Sequence, residues 1–349
     1  MWSMKRSGSA VFRVAFGLLL SLPCLTGAAS LLLSTSFLVE FMSQGSWRPL
    51  SALTAEPTVR PLPATIEEPT TGRRSVAIDL YARPTLWRPP ALVLVHGLSP
   101  KGKDEPRLTG AATMLARSGF VVAVPTIDGL TVLRLRPEDA LPVSATVRAL
   151  RDAGYQRPAL LAISLGAGPA LLAAADPDTA GSLSAVLAFG GYASAVELLR
   201  YTLTGSYAFG GVSGRAAIHG DAIAQFARAN AELVDEAGRQ LVDNRDPARF
   251  DALAAALPAK TRALLDALSP GPMVGRLRAP LFLIHGREDP AVPFTESLRL
   301  EAAARRAGRP VRLEIVGGIG HVDPGWGAGV VTLLRLWSAA YGFRRAAGG

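Results

Sequence analysis

Short apolar runs alternate along the chain with segments of helical spacing, beginning after residue 74. Ala91–Val95 and Ala159–Ile163 are uninterrupted apolar runs, as expected for parallel strands that are buried on both faces. Between them, residues 108–118 place apolar side chains on one helical face and end before Gly119. The alternation predicts an α/β domain with a mostly parallel sheet covered by helices on both faces. The predicted strands are 75–81, 91–95, 120–125, 159–163, 184–189, 281–284 and 311–316, and the predicted helices are 108–118, 143–153, 168–175, 295–307 and 327–341.

One long segment interrupts this alternation. Residues 192–276 are rich in alanine, leucine and arginine at helical spacing and show no clear strand, which predicts a helical insertion within a domain that spans residues 75–349. Ligands of parallel α/β sheets bind at the carboxyl ends of the strands. The chemistry is therefore expected directly after the apolar runs.

The N-terminal segment has the pattern of a membrane signal. Lys5, Arg6 and Arg13 precede an uncharged stretch, residues 14–39, that would form a helix of about 39 Å, against a hydrocarbon core of about 30 Å. This predicts a signal anchor over residues 1–42, with the rest of the chain on the extracytoplasmic side. The alternative is a signal peptide that is cleaved at the small residues 27–29, which would give a secreted protein.

Between the predicted anchor and the domain, prolines recur with threonine, serine and glutamate over residues 43–74. This composition predicts an extended linker that holds the domain away from the membrane.

Composition narrows the functional classes. Of 349 residues, 49% are hydrophobic and 19% are charged, which excludes a disordered chain. The single cysteine, Cys24, excludes a disulfide framework and a cysteine-based zinc site. The net charge of +9 comes from scattered arginines, and aromatic residues are only 7% of the chain, so we expect no nucleic-acid partner. Attraction to an anionic membrane surface is the alternative explanation of the charge.

Ser164 is the first candidate for chemistry. It follows the apolar run 159–163 and precedes a helix, and a serine on such a sharp turn exposes its hydroxyl above the sheet. The turn requires small neighbours two residues away on each side, and Ala162 and Gly166 provide them. The alternative role of Ser164 is to cap the next helix.

A serine nucleophile needs a base, and the base needs a carboxylate. Among four histidines, His321 follows the last predicted strand in a glycine-rich loop, whereas His96 and His285 end buried strands and are expected to be structural. Asp289 follows the penultimate strand, and Asp323 is its weaker rival. The order Ser164, Asp289, His321 is the order of the α/β-hydrolase sheet. The backbone N–H groups of Leu165 and Leu98 are the predicted oxyanion donors.

These motifs resemble the α/β-hydrolase superfamily, and within it the dienelactone-hydrolase-like group. The segments that carry the resemblance are Leu94–Gly97, Ala162–Gly166, Leu283–Pro293 and Gly318–His321. The resemblance implies a serine hydrolase with Ser164 as nucleophile, Asp289 as acid and His321 as base, in an α/β-hydrolase fold over roughly residues 75–342. Dienelactone hydrolases use a cysteine nucleophile where this chain has Ser164, so generic ester chemistry is expected.

The resemblance also implies that the 192–276 insertion is a cap over the pocket. Its apolar side chains either line an acyl pocket or pack the cap onto the core; they include Leu198, Leu199, Phe209, Phe226 and Leu233.

The sequence thus predicts a membrane-anchored serine hydrolase that cleaves small-molecule or lipid-like carboxylic esters through an acyl-enzyme. An acyltransferase or a peptidase with the same triad are alternatives, as is a non-catalytic anchored binding protein on a hydrolase fold. No cofactor and no metal are expected, because the histidines are dispersed and the glycine-rich motifs are incomplete. The pattern does not indicate the oligomeric state.

Overall fold

The computed structural model describes residues 27–43, 45–68, 72–85, 88–217, 236–318, 320–321 and 330–348. Its centre is an eight-stranded sheet in the order β1-β4-β6-β5-β7-β8-β11-β12. The first two pairs, β1 with β4 and β4 with β6, are antiparallel, and every other pair is parallel. The strands are β1 (Thr58–Pro61), β4 (Ile78–Ala82), β5 (Ala91–Val95), β6 (Val121–Pro125), β7 (Ala159–Ile163), β8 (Val186–Phe189), β11 (Leu281–Gly286) and β12 (Val311–Val316).

Helices cover both faces of this sheet. They are α1 (residues 27–42), α2 (Pro49–Leu53), α3 (Pro106–Arg117), α4 (Asp128–Thr131), α5 (Ala140–Asp152), α6 (Ala167–Ala175), α7 (Pro177–Ala180), α12 (Thr295–Arg306) and α13 (Val330–Ala346). Alternate side chains of a strand lie on opposite faces of the sheet. In β5, Val93 belongs to the core that includes residues of α5, α6 and α12, and Leu92 belongs to the core that includes residues of α3 and α13. The central strands are buried on both faces, which explains their uninterrupted apolar sequences.

The insertion after β8 is only partly helical. Its described part contains α8 (Ala195–Thr204), a hairpin of β9 (Ser206–Phe209) and β10 (Val212–Arg215), then α9 (Glu236–Asp243), α10 (Pro247–Ala255) and α11 (Ala259–Ala267). The sequence prediction of a purely helical cap is therefore wrong at the hairpin. Gly210 and Gly211 have φ values of +58° and +83°, and such a pair favours a tight hairpin turn.

The predicted linker is also part of the domain. Within 43–74, β1 forms an edge of the main sheet, and β2 (Thr65–Glu68) pairs with β3 (Gly72–Ser75) in a separate hairpin. The prediction of an extended linker is wrong here because prolines also occur in edge strands. Pro61 lies in such a strand, where its missing N–H removes no hydrogen bond between strands. An ion pair between Arg117 and Glu56 further holds this segment to α3.

Residues 1–26, which hold much of the predicted anchor, lie outside the described residues. In the part that the structure describes, no helix combines the length and the apolar character that a membrane crossing requires. The described end of the predicted anchor, α1, packs on the domain through Met42, which is buried among residues of α3 and α13. The anchor itself stays a prediction.

Candidate active site

Ser164 lies on a sharp turn between β7 and α6. Its φ of +55° is in the left-handed region, which costs a non-glycine residue on the order of 1–3 kcal/mol. The turn also brings two backbones very close: a Cβ at Gly166 would lie 2.1 Å from the carbonyl oxygen of His96. This explains why glycine is needed two residues after Ser164, whereas the Ala162 side chain fits in the core.

His321 follows β12 and lies over the same edge of the sheet. Its Nε2 is 2.6 Å from Ser164 Oγ, and its Nδ1 is 2.8 Å from Asp289 Oδ2 and 2.9 Å from Oδ1. A carboxylate only accepts hydrogen bonds, so Nδ1 carries the proton and the Nε2 lone pair faces the serine hydroxyl. The imidazole is thereby oriented as a base toward Ser164.

Asp289 follows β11 in a buried loop. Its Oδ1 accepts hydrogen bonds from the backbone N–H groups of Ala291 (2.8 Å) and Val292 (3.0 Å). Burial raises the pKa of this carboxyl, but hydrogen bonds from His285 and His321 outweigh burial and hold the pKa well below its ordinary value. We assign the larger lowering of the Asp289 pKa to His321. Its Nδ1 is 2.8 Å from Oδ2, whereas His285 Nε2 is 3.5 Å from the same oxygen. Asp289 is therefore ionised at neutral pH.

Two other histidines are buried beside the site and have structural partners. His96 Nε2 accepts a hydrogen bond from Ile127 N–H, and its Nδ1 donates to the carbonyl oxygen of Gly97. Burial lowers the pKa of His96, so it stays neutral. His285 Nε2 donates to the carbonyl oxygen of Val292, and its Nδ1 is 2.7 Å from Ser297 Oγ. The fourth histidine, His219, and the rival carboxylate, Asp323, lie outside the described residues.

Sequence reasoning missed one contact between the insertion and the site. Tyr201, on α8, donates a hydrogen bond of 2.9 Å to the backbone carbonyl of Asp289. Burial raises the pKa of Tyr201 to about 12, with the Asp289 charge adding to the effect, so its hydroxyl stays a donor. The two residues are separated by 88 positions, and no local pattern in the sequence indicates their contact.

The two residues predicted to supply oxyanion donors are both near Ser164. Leu98 and Leu165 line the same cavity as Ser164 and His321. The chain before Leu98 passes directly against the nucleophile, since a Cβ at Gly97 would lie 3.4 Å from Ser164 Oγ. Their role as oxyanion donors stays a prediction.

The cavity at Ser164 has a volume of about 1160 Å³. The described insertion residues that the sequence offered as an acyl pocket do not line this cavity. Leu198 packs against Tyr192, Leu199 packs against the cluster that contains Phe250, and Phe209 lies under the Arg299 guanidinium. Phe226 and Leu233 lie outside the described residues. Within the described ranges, no group of three or more His, Cys, Asp or Glu side chains could hold a metal ion.

A sequence model of the prolyl oligopeptidase family matches residues 222–338, which is less than half of the chain. No curated protein matches this sequence.

Solved structures share the fold over most of the chain. A Mycobacterium tuberculosis puromycin-hydrolyzing peptidase superimposes with a TM-score of 0.53 and 21% identity, covering 82% of this chain and 39% of the peptidase. A Pyrococcus horikoshii acylaminoacyl peptidase gives 0.52 and 15%, covering 85% of this chain and 41% of the peptidase. A Pyrococcus furiosus esterase gives 0.51 and 15%, covering 87% of this chain and 96% of the esterase. The chain thus spans about two fifths of each peptidase and nearly all of the esterase.

Proposed function

We propose that this chain, which belongs to the α/β-hydrolase superfamily, is a serine hydrolase that cleaves carboxylic esters. One observation carries the proposal: Ser164 Oγ, His321 and Asp289 form a continuous hydrogen-bonded series with distances of 2.6 and 2.8 Å. A serine hydroxyl in this position can lose its proton to the imidazole at the moment of attack.

The reaction would follow from these contacts in two halves. Ser164 Oγ attacks the ester carbonyl carbon, and its proton passes to His321 Nε2. The bond to the leaving oxygen then breaks, and His321 returns the proton to the departing alcohol. In the second half, His321 takes a proton from water, the hydroxide attacks the acyl-enzyme, and Ser164 is released with its proton restored. Asp289 holds the tautomer and stabilises the imidazolium throughout.

The proposed oxyanion donors are the backbone N–H groups of Leu98 and Leu165. They would stabilise the negative oxygen of both tetrahedral intermediates, and a donor of this kind contributes about 100- to 1000-fold in kcat. Both residues line the cavity together with Ser164, which supports this role.

A peptidase is the second candidate. The match to the prolyl oligopeptidase family and the likeness to a puromycin-hydrolyzing peptidase and an acylaminoacyl peptidase favour it. We favour esters because the space that opens from Ser164 is lined mainly by aliphatic and aromatic side chains, which offer few hydrogen bonds to a peptide backbone.

A matched panel of substrates separates these candidates. The full chain is assayed with esters and amides that carry the same acyl group, and each assay is repeated with Ser164→Ala. We expect ester hydrolysis that depends on Ser164 and amide hydrolysis that is slower by at least about tenfold in kcat/KM, equivalent to about 1.4 kcal/mol. Amide turnover that exceeds ester turnover would favour a peptidase, and transfer of the acyl group to added alcohols in preference to water would favour an acyltransferase.

We further propose that the domain acts on the extracytoplasmic side of a membrane. The charges of Lys5, Arg6 and Arg13 before the apolar stretch support this orientation. Protease accessibility of the domain in intact cells tests it, and protection of the domain from added protease would contradict it.

A further inference from the structure

The cavity at Ser164 runs along one face of the sheet, and no described residue of the insertion lines it. From Ser164 and His321 it passes between the sheet and three helices, α1, α3 and α13. Its walls are mainly apolar; they include Leu161, Ile163 and Phe189 of the sheet, Phe37 of α1, Met114 of α3 and Leu336 of α13. Its volume of about 1160 Å³ exceeds the usual 300–1,000 Å³ of small-molecule pockets.

The cavity has two ends at opposite edges of the sheet. Ser164 follows the carboxyl end of β7, whereas Phe120 and Ser118 precede the amino end of β6 and line the same cavity. At about 3.3 Å per residue, the five-residue strands β5, β6 and β7 make the distance between these edges roughly 17 Å. An extended acyl chain attached to Ser164 therefore has room to reach the far edge.

Arg344 lies at the far end, and it has no carboxylate partner among the described residues. Its side chain is buried, 8% exposed as a residue, with the guanidinium 5.4 Å above the Phe120 ring. Nη1 donates to the carbonyl oxygen of Ser118 at 2.5 Å, but Nε has no hydrogen-bond partner in the described structure. Burial lowers the pKa of this guanidinium, yet it remains a cation at neutral pH.

Ser34 adds a second donor that lacks a partner. It is on α1, it lines the same cavity, and its Oγ is buried with no partner among the described residues. The two helices meet near Gly119, where an added Cβ would lie 3.4 Å from Arg344 Nη2 and 4.0 Å from Leu33 Cδ1. Buried donors are almost always paired. Two unpaired buried donors, on side chains of two helices that line one cavity, point to a polar ligand toward which these side chains turn when it binds.

We propose that the cavity binds the acyl chain of the substrate and that this chain ends in a carboxylate, which pairs with Arg344 and accepts a hydrogen bond from Ser34. The inference rests on the proposed ester hydrolysis at Ser164 and names its substrate class as monoesters of long dicarboxylic acids. A wholly apolar chain of the same length would remove water from the guanidinium without replacing its hydrogen bonds or pairing its charge. Binding of such a chain would therefore be weaker. A short chain would not reach Arg344.

The test is a series of 4-nitrophenyl monoesters of dicarboxylic acids of increasing length. Each is compared with the neutral 4-nitrophenyl ester of equal chain length, using the full chain. We expect the terminal carboxylate to lower kcat/KM for short chains and to raise it by roughly 10- to 100-fold once the chain reaches Arg344. Arg344→Met is expected to abolish this gain, and circular dichroism of the variant checks that it folds.

Arg345→Met is the matched control, because Arg345 is the next residue on α13 and is exposed. It removes the same charge from the same helix and is expected to keep the preference for the carboxylate. Ser34→Ala is expected to reduce the gain by a smaller factor. Neutral esters that exceed the carboxylates at every length, or a gain that survives Arg344→Met, would overturn the inference.

A binding measurement keeps this result apart from failure of the proposed hydrolysis. The free long-chain dicarboxylic acid is titrated calorimetrically into Ser164→Ala, with and without Arg344→Met. Binding that depends on Arg344 supports the anion site even if every ester is inert, in which case only the proposed hydrolysis fails. Absence of binding to Ser164→Ala would overturn the site.

Discussion

Tyr201 donates a hydrogen bond to the backbone carbonyl of Asp289, which joins the first helix of the insertion to the loop that carries the acid. The Tyr201 ring also packs edge-on against Tyr207 in the β9–β10 hairpin, with centroids 6.0 Å apart. The insertion therefore contacts the active site at Asp289 and helps to hold this residue in position. Tyr201 is a positioning residue, since it acts on the chemistry through Asp289.

Tyr201→Phe removes this hydrogen bond and leaves a buried carbonyl without a donor. We expect a loss of about 1–3 kcal/mol in the free energy of unfolding, together with a lower kcat and little change in KM. Denaturant unfolding and steady-state kinetics measure both. Tyr207→Phe is the control, because it keeps the ring contact and removes a hydroxyl that does not touch Asp289. Equal losses in the two variants would show that Tyr201 has no positioning role.

Asp289→Asn is expected to reduce kcat by about 10³- to 10⁴-fold at neutral pH. An amide in this position can present its N–H₂ to His321 and reverse the imidazole tautomer, so that Nε2 no longer accepts the serine proton. Glu288→Gln is the neighbouring control: its Oε2 accepts from Gly318 N–H at 3.2 Å and does not contact His321. A kcat that falls equally in both variants would contradict the assignment of Asp289.

The same carboxylate makes stability depend on pH. Because the pKa of Asp289 is lower in the folded state than in the unfolded chain, its ionisation stabilises the fold above the unfolded pKa of about 3.9. This contribution is lost as the pH falls below that value toward the folded pKa. The difference in unfolding free energy between wild type and Asp289→Asn should therefore shrink from pH 6 to pH 3. A difference that is constant with pH would show that the pKa of Asp289 is not depressed.

Gly166→Ala should disrupt the turn at Ser164. The new methyl group would lie 2.1 Å from the carbonyl oxygen of His96, so two backbone segments must separate. We expect a loss of about 1–3 kcal/mol or more in stability and a large loss of activity. Gly110→Ala on α3 is the matched control; its methyl group meets nothing within 4 Å and should be neutral or stabilising. Circular dichroism melts of the two variants decide the point: Tm should fall for Gly166→Ala and stay the same or rise for Gly110→Ala.

The sequence predicted the central elements well because burial leaves a strong local signal. The predicted bounds of β7 (Ala159–Ile163) and β12 (Val311–Val316) match the structure. The juxtaposition of Ser164, Asp289 and His321 was also predictable, since the carboxyl ends of parallel strands share one edge of the sheet.

Other features of the structure have no local sequence pattern that predicts them, or have a pattern that fits more than one structure. The Gly210–Gly211 pair forms a hairpin turn within an insertion whose spacing predicts only helices. The prolines of the predicted linker are compatible with an edge strand as well as with a spacer. The contact of Tyr201 with Asp289 and the approach of Ser118 to Arg344 join residues 88 and 226 positions apart, which no periodicity encodes.

Reaction of the full chain with a fluorophosphonate probe tests the central claim most directly. Wild type and Ser164→Ala are treated in parallel, folding of both is checked by circular dichroism, and the modified residue is located by peptide mass spectrometry. An activated nucleophile at Ser164 predicts labelling of wild type at Ser164 and none in Ser164→Ala. Labelling at another residue, or none in the folded wild-type protein, would contradict the account.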